Sequence, residues 1–150
     1  MNVTGSAAQH RIFFKLQRAA HLLKKRADDA LLAAGGLSTA QAAALLVIDE
    51  KGPVSQREVA RVLEQNESAM TAMVRRLITL DYVARTRSKD DVRRWDLTIT
   101  SAGKDALRDA SPAFGEVNQA IEARISSVEI EGLARTLNLL MASQDTKTRG

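Results

Sequence analysis

The sequence predicts a mainly helical protein that carries one small β-hairpin. Three observations lead there. Apolar residues recur at helical spacing in segments along nearly the whole chain, and most segments open on a capping residue or close on glycine. Between residues 54 and 78 two such segments stand only a short turn apart. Between residues 82 and 99 the spacing changes to alternation on either side of a charged loop. A length of 150 residues suits one domain over 1–150 with room for a core.

Ile12, Leu16, Ala19, Leu23, Ala27 and Ala30–Leu31 predict a first helix that stops at Gly35–Gly36, a natural C-terminal signal. Ser38 with Gln41 forms a capping box for a second helix through Val47–Ile48, closed by Gly52–Pro53. Ser55 with Glu58 predicts another box for a third helix. Val54 and Val59 stand at hydrophobic-staple positions there, and Val59, Val62 and Leu63 face inward. Asn66 caps a fourth helix. On it Met70, Met73, Val74, Leu77 and Ile78 form an apolar stripe, and Ser68, Thr71, Ala72 and Arg75 form the opposite one.

Residues 82–87 and 94–99 predict two strands. Trp95, Leu97 and Ile99 share one face, and Arg94, Asp96 and Thr98 the other. Trp95 is expected in the core, in preference to stacking on a ligand. Thr100 caps a fifth helix striped by Leu107, Ala110, Phe114, Val117, Ile121 and Ile125, which Pro112 should kink or divide. Ser126 with Glu129 opens a last helix whose inner side is Ile130, Leu133, Leu137, Leu140 and Met141. The polar tail from Ser143 is expected to fray.

Helix, tight turn, helix and basic hairpin make the layout of a winged helix-turn-helix, here over residues 38–100. That layout delivers one helix to a DNA groove and a charged hairpin to its flank. The flanking helices, residues 7–34 and 101–143, carry apolar stripes longer than the central unit covers. They predict dimerisation helices, with an intramolecular three-helix cluster as the alternative. The expected fold is therefore mainly α with a small β-hairpin wing, a winged helix-turn-helix with N- and C-terminal dimerisation helices.

The net charge is +4, and its placement matters more than its size. From 75 to 94, Arg75, Arg76, Arg85, Arg87, Lys89, Arg93 and Arg94 stand against Asp81, Asp90 and Asp91, which points to an anionic partner for the middle of the chain. There is no cysteine, so disulfides and thiolate metal sites are excluded. No apolar run reaches the roughly 18 residues of a membrane span, and no secretory pattern opens the chain, so no membrane partner and a cytoplasmic location are expected.

The central residues resemble the MarR/SlyA family of bacterial transcription regulators. The similarity begins near Leu37-Ser38-Thr39-Ala40-Gln41 and runs through Gly52-Pro53-Val54-Ser55-Gln56-Arg57-Glu58-Val59-Ala60, Ser68-Ala69-Met70-Thr71 and Val74-Arg75-Arg76-Leu77. Its most specific part is Asp91-Val92-Arg93, five residues, then Ile99-Thr100 with Gly103 shortly after. This echoes a family wing signature of Asp-x-Arg, five residues, Leu-Thr, then Gly. Departures occur where the family often has glycine: Glu64-Gln65 follow the third helix and Asp81 precedes the first wing strand. Ala72 and Arg75 replace the family's common Arg and Asp on the recognition helix, which alters the expected operator and leaves the fold. The resemblance implies a homodimer on pseudo-palindromic double-stranded DNA, often a repressor released by a small aromatic acid. It also implies an effector pocket among the first two helices, the fifth helix and the recognition unit.

On these grounds the recognition helix is expected to offer Ser68, Thr71 and Arg75 to base edges, with Arg76 on phosphate. The amino end of the third helix, at Ser55 and Gln56, is expected to offer backbone N–H groups to another phosphate. In the wing the resemblance implies that Asp91 braces Arg93 and that Arg93 reaches the minor groove, while Arg87, Lys89 and Arg94 add backbone contacts. Enzymatic activity is not expected. No Ser-His-acid order, glycine-rich phosphate loop or zinc spacing is present. His10 and His21 stand about 16 Å apart along a helix and cannot share a metal within one chain. No cofactor or metal is expected. The rival reading is a winged-helix module that binds protein, against which the basic wing and polar recognition face argue.

Overall fold

The computed structural model describes the backbone of residues 3–142 and the side chains of residues 11–142. The elements run α1 (Val3–Ala34), α2 (Thr39–Lys51), β1 (Val54–Ser55), α3 (Gln56–Val62), α4 (Glu67–Thr79), β2 (Val83–Arg87), β3 (Trp95–Ile99), α5 (Ser101–Glu122) and α6 (Ser127–Ala142). The protein is mainly helical with a small antiparallel sheet, as the sequence predicts. His10's side chain and the tail from Ser143 lie outside the described residues. The chain divides into two compact units, Met1–Phe114 and Gly115–Gly150, with the division inside α5.

The sheet has three strands in the order β1-β3-β2, one more than the alternation reveals. β1 is only Val54 and Ser55, paired with Leu97 and Asp96, and two residues are too few to alternate. Ser55 thus ends a strand and caps α3 at once. Its side-chain oxygen accepts the Glu58 N–H at 3.2 Å. The predicted box is only half formed there, because the Glu58 carboxylate turns to Arg61 instead, at 2.7 and 2.9 Å. The other two boxes close. Ser38 and Gln41 exchange bonds at 3.1 and 2.9 Å, and so do Ser126 and Glu129 at 3.3 and 2.8 Å.

The core of the first unit gathers Leu31 of α1, Ala44, Leu45 and Ile48 of α2, Val54, Val59 of α3, and Met70, Val74 and Leu77 of α4. Leu37, Val47, Ala60, Val83, Leu97, Ala110 and Ala113 complete it. Ala60 is buried in α3, while Val62 faces solvent against expectation. Trp95 also departs from its expected place in the core: it is 46 % exposed. Of its predicted face only Leu97 is fully buried; Ile99, at the other end of β3, is half-buried. Pro112 lies within a continuous α5 and does not divide it. It removes one N–H from the ladder.

Two features fix how α4 is held. α3 and α4 both end on a left-handed residue that is not glycine, Glu64 at φ +51° and Asp81 at φ +60°. In each case the next amide reaches back five residues, Gln65 to the Ala60 carbonyl and Tyr82 to the Leu77 carbonyl, both at 2.9 Å. Gly103 of α5 closes on the far side. A Cβ there would stand 2.2 Å from the Tyr82 carbonyl oxygen, so only glycine lets the helix approach the start of β2.

Asp28 ties α1 to α2. One carboxylate oxygen accepts the Thr39 N–H at 2.7 Å and the Thr39 hydroxyl at 2.8 Å, and the other meets the Lys24 ammonium at 2.6 Å. The Lys24 hydrogen bond, and after it the Thr39 amide, hold this carboxyl at about 2, below the ordinary carboxylate range. Asp28 is a bracing residue.

Candidate nucleic-acid interface

α4 takes its direction from its caps and its buried face. Asn66 Oδ1 accepts the Ala69 N–H at 2.8 Å, and Met70, Val74 and Leu77 are buried at successive turns. That leaves Ser68, Ala72 and Arg75 exposed on the opposite stripe, with Thr71 half-buried beside them. The hydroxyls on this stripe are engaged. Ser68 donates to Asn66 Oδ1 at 2.9 Å, and Thr71 donates to the Glu67 carbonyl at 2.8 Å while accepting Gln56 Nε2 at 2.8 Å. The Gln56 side chain therefore joins α3 to α4. The donors of Arg75 and Arg76 point into solvent, and among the described residues neither guanidinium has an ion pair or hydrogen bond. Arg75 is thus the member of the stripe whose whole donor fork faces outward, suited to a planar pair of acceptors.

The wing is β2 and β3, paired from Val83↔Ile99 to Arg87↔Trp95, with residues 88–94 as its loop. A buried lock closes the base of that loop. Ser88 and Asp96 are 4 % and 5 % exposed, and Arg94 joins them. Arg94 Nε meets Asp96 Oδ1 at 3.0 Å and Nη2 meets Ser88 Oγ at 3.0 Å. The Ser88 N–H donates to the Arg94 carbonyl at 2.9 Å. Arg94 is a strut, because a carboxylate buried to this degree needs a charged partner. Ser88 and Asp96 were not singled out as site residues. The signal for Asp96 was its place two residues from Arg94 on one strand face.

At the tip, Asp91 Oδ1 accepts the Arg93 N–H and the Asp91 carbonyl accepts the Arg94 N–H, both at 2.9 Å. Asp91 therefore braces the main chain at Arg93, where the resemblance implied only a brace. Arg87 lies over the Trp95 ring, 4.1 Å from its centroid, and donates from Nη1 to the Val92 carbonyl at 2.9 Å. Lys89 and Arg93 are exposed, and no ion pair is made by either among the described residues. No group of residues suited to a metal ion occurs among the described residues. Among the described residues no single helix is long and apolar enough to cross a membrane.

A capped helix pair of this geometry with a locked basic hairpin defines a winged helix-turn-helix protein. The sequence model of the MarR family matches residues 35–94. An uncharacterised HTH-type transcriptional regulator of Bacillus subtilis, YpoP, is 36 % identical over 64 residues; the match spans 43 % of this chain and 45 % of that relative's length. The crystal structure of a probable transcriptional regulator from Pseudomonas aeruginosa is 30 % identical. It aligns over 86 % of this chain and 96 % of its own, with a TM-score of 0.74. Sco3205 of Streptomyces coelicolor, a MarR family regulator solved in complex with DNA, gives a TM-score of 0.81. It is 21 % identical over 91 % of this chain and 88 % of its own, a likeness of fold. The chain belongs to the MarR family of winged-helix transcriptional regulators. Family and fold are those of regulators and not of enzymes.

Proposed function

We propose that the protein is a homodimeric, sequence-specific DNA-binding regulator, a repressor released by a small aromatic acid. The observation that carries the DNA-binding part is the contrast on the exposed faces of α4 and the wing. Arg75, Arg76, Lys89 and Arg93 hold their charges outward beside residues locked by internal bonds. Arg75 reads a guanine edge, Ser68 and Thr71 line the same stripe, and Arg76 takes phosphate. Thr71 keeps an acceptor role, since its proton is directed to Glu67. Lys89 and Arg93 follow the flanking backbone, with Arg93 in the narrow groove. Ser55, Gln56, Arg87, Asp91 and Arg94 shape the interface from behind. The Sco3205–DNA complex supports this reading by likeness of fold.

The homodimer is supported by apolar residues that each unit leaves exposed by itself. On α1 these are Ile12, Phe13, Phe14 and Leu16, with the two phenylalanine rings edge to face at 5.5 Å. On α6 they are Leu133, Leu137 and Met141. Faces of this kind are covered by a second copy in an isologous pair. An open cavity of about 360 Å3 lies between α2 and α5, lined by Ala42, Leu46, Leu107, Ser111 and Phe114. Its apolar wall and size suit one aromatic ring, which supports the effector part of the reading.

The test is a binding titration on duplex from the chain's own promoter across a range of salt, with sedimentation of the free protein beside it. A two-subunit species and a steep salt dependence are expected. Arg93→Ala should weaken binding to cognate and random duplex alike and lower the salt slope by about one unit. Single subunits that ignore every duplex at low ionic strength would reject the reading.

A further inference from the structure

One peptide plane in the wing is held at both ends. It is the plane between Val92 and Arg93. Its carbonyl accepts Arg87 Nη1 at 2.9 Å, and its N–H donates to Asp91 Oδ1 at 2.9 Å. The Arg87 guanidinium in turn rests on the face of Trp95, its direct cross-strand partner. A guanidinium can do both at once, because its flat face stacks while its edge donates in the plane. Core burial does not account for Trp95, which is nearly half exposed. The tip residue Val92 is 77 % exposed, so no packing holds the loop from outside either.

We propose that Trp95 and Arg87 are positioning residues that set the orientation of the Val92–Arg93 peptide and so aim the Arg93 side chain at the duplex. This rests on the DNA-binding reading above. A loop tip without such ties samples several peptide orientations, and binding must select one of them. Fixing the plane beforehand lowers that cost. Arg87, assigned by the sequence to the DNA backbone, acts here through Arg93. The indole supplies the flat floor that keeps its guanidinium in line with the Val92 carbonyl. This clamp is separate from the Arg94 lock, which holds the base of the loop through Ser88 and Asp96.

A double-mutant cycle on labelled promoter duplex tests it. Trp95→Leu should weaken binding about threefold to fivefold in the native background, the range of one partly exposed cation–π contact. In an Arg93→Ala background the same change should cost less than about 1.5-fold, because residues acting through one another are not additive. Trp95→Phe, which keeps a ring under Arg87, should restore most of the loss. Equal losses in both backgrounds, or none in the native one, would overturn the proposal. A second measurement needs no DNA. Exchange of the Arg93 amide should quicken in Trp95→Leu and in Arg87→Leu, while the Val83 and Leu97 amides keep their rates. An unchanged Arg93 amide overturns the clamp whatever the DNA result. A native protein that binds no duplex while that amide responds overturns the DNA-binding reading and supports the clamp.

Discussion

The recognition helix and the wing present their cations by opposite means. In α4 the main chain does the work. Asn66 starts the helix, three buried residues fix its roll, and Arg75 and Arg76 need no side-chain partner to face outward. In the wing the main chain between Ser88 and Arg94 has no regular structure to rely on. Two main-chain bonds close it, and side chains complete its shape, Arg94 at the base and Arg87 and Asp91 at the tip. A helix can therefore devote its arginines to a partner, whereas a loop must keep some of them for itself. Of the cations on α4 and the wing, those held by internal bonds, Arg87 and Arg94, belong to the hairpin.

The sharpest way to break this comparison is Arg75→Ala. It should cost about tenfold to a hundredfold on cognate duplex and little on random duplex, the range for one bidentate guanine contact. Stability should stay within about 0.5 kcal/mol, because among the described residues the Arg75 side chain makes no ion pair or hydrogen bond. Equal losses on both duplexes would reject base reading by Arg75. Arg94→Ala should behave in the opposite way. It leaves the buried Asp96 carboxylate without its charge partner, so a urea melt should shift to lower denaturant. A melt like that of Arg75→Ala would show that the lock is not structural.

The Asp28 tie extends the comparison beyond the wing, since it too is a side chain holding two segments together. Its folded value of about 2 lies below that of the unfolded chain. The unfolded state therefore binds more protons in between. The stabilisation is fully present above about pH 4 and is lost as pH falls through 2. Lys24 and Asp28 are partly solvated, so we expect of order 1 kcal/mol, removed at neutral pH by Asp28→Asn. A native and a variant protein with equal stability at pH 6 would exclude the tie. The smallest effect expected is a gain. Glu64→Gly relieves the left-handed turn between α3 and α4 and should add about 0.5–1 kcal/mol, read as a higher melting temperature. A loss would mean that the Glu64 side chain contributes more than its backbone strain costs.

Legibility follows the same division. The ends of α2, α4 and α6 were readable because Ser38, Asn66 and Ser126 cap by local rules that act within three residues. The left-handed turns at Glu64 and Asp81 were visible by contrast with the glycines the family prefers. β1 was not legible, because two residues carry no period and their pairing partner lies more than forty positions away. Trp95 was misplaced for a related reason. Alternation gives the face of a strand but not how far along it the helices reach, and Trp95 sits where their cover has ended. The internal engagement of Gln56 and Arg87 depends on partners 15 and 5 positions away, at distances that composition and spacing do not encode.

The chain has one tryptophan, and it stands on the hairpin next to a stacked guanidinium. Ultraviolet emission above the tyrosine band thus originates from a single spot on the molecule. A titration followed in that light watches the wing without any dye. A small molecule seated beside α2 stays dark unless its influence travels to the hairpin, so the colour and yield of the glow separate mere occupancy from transmission.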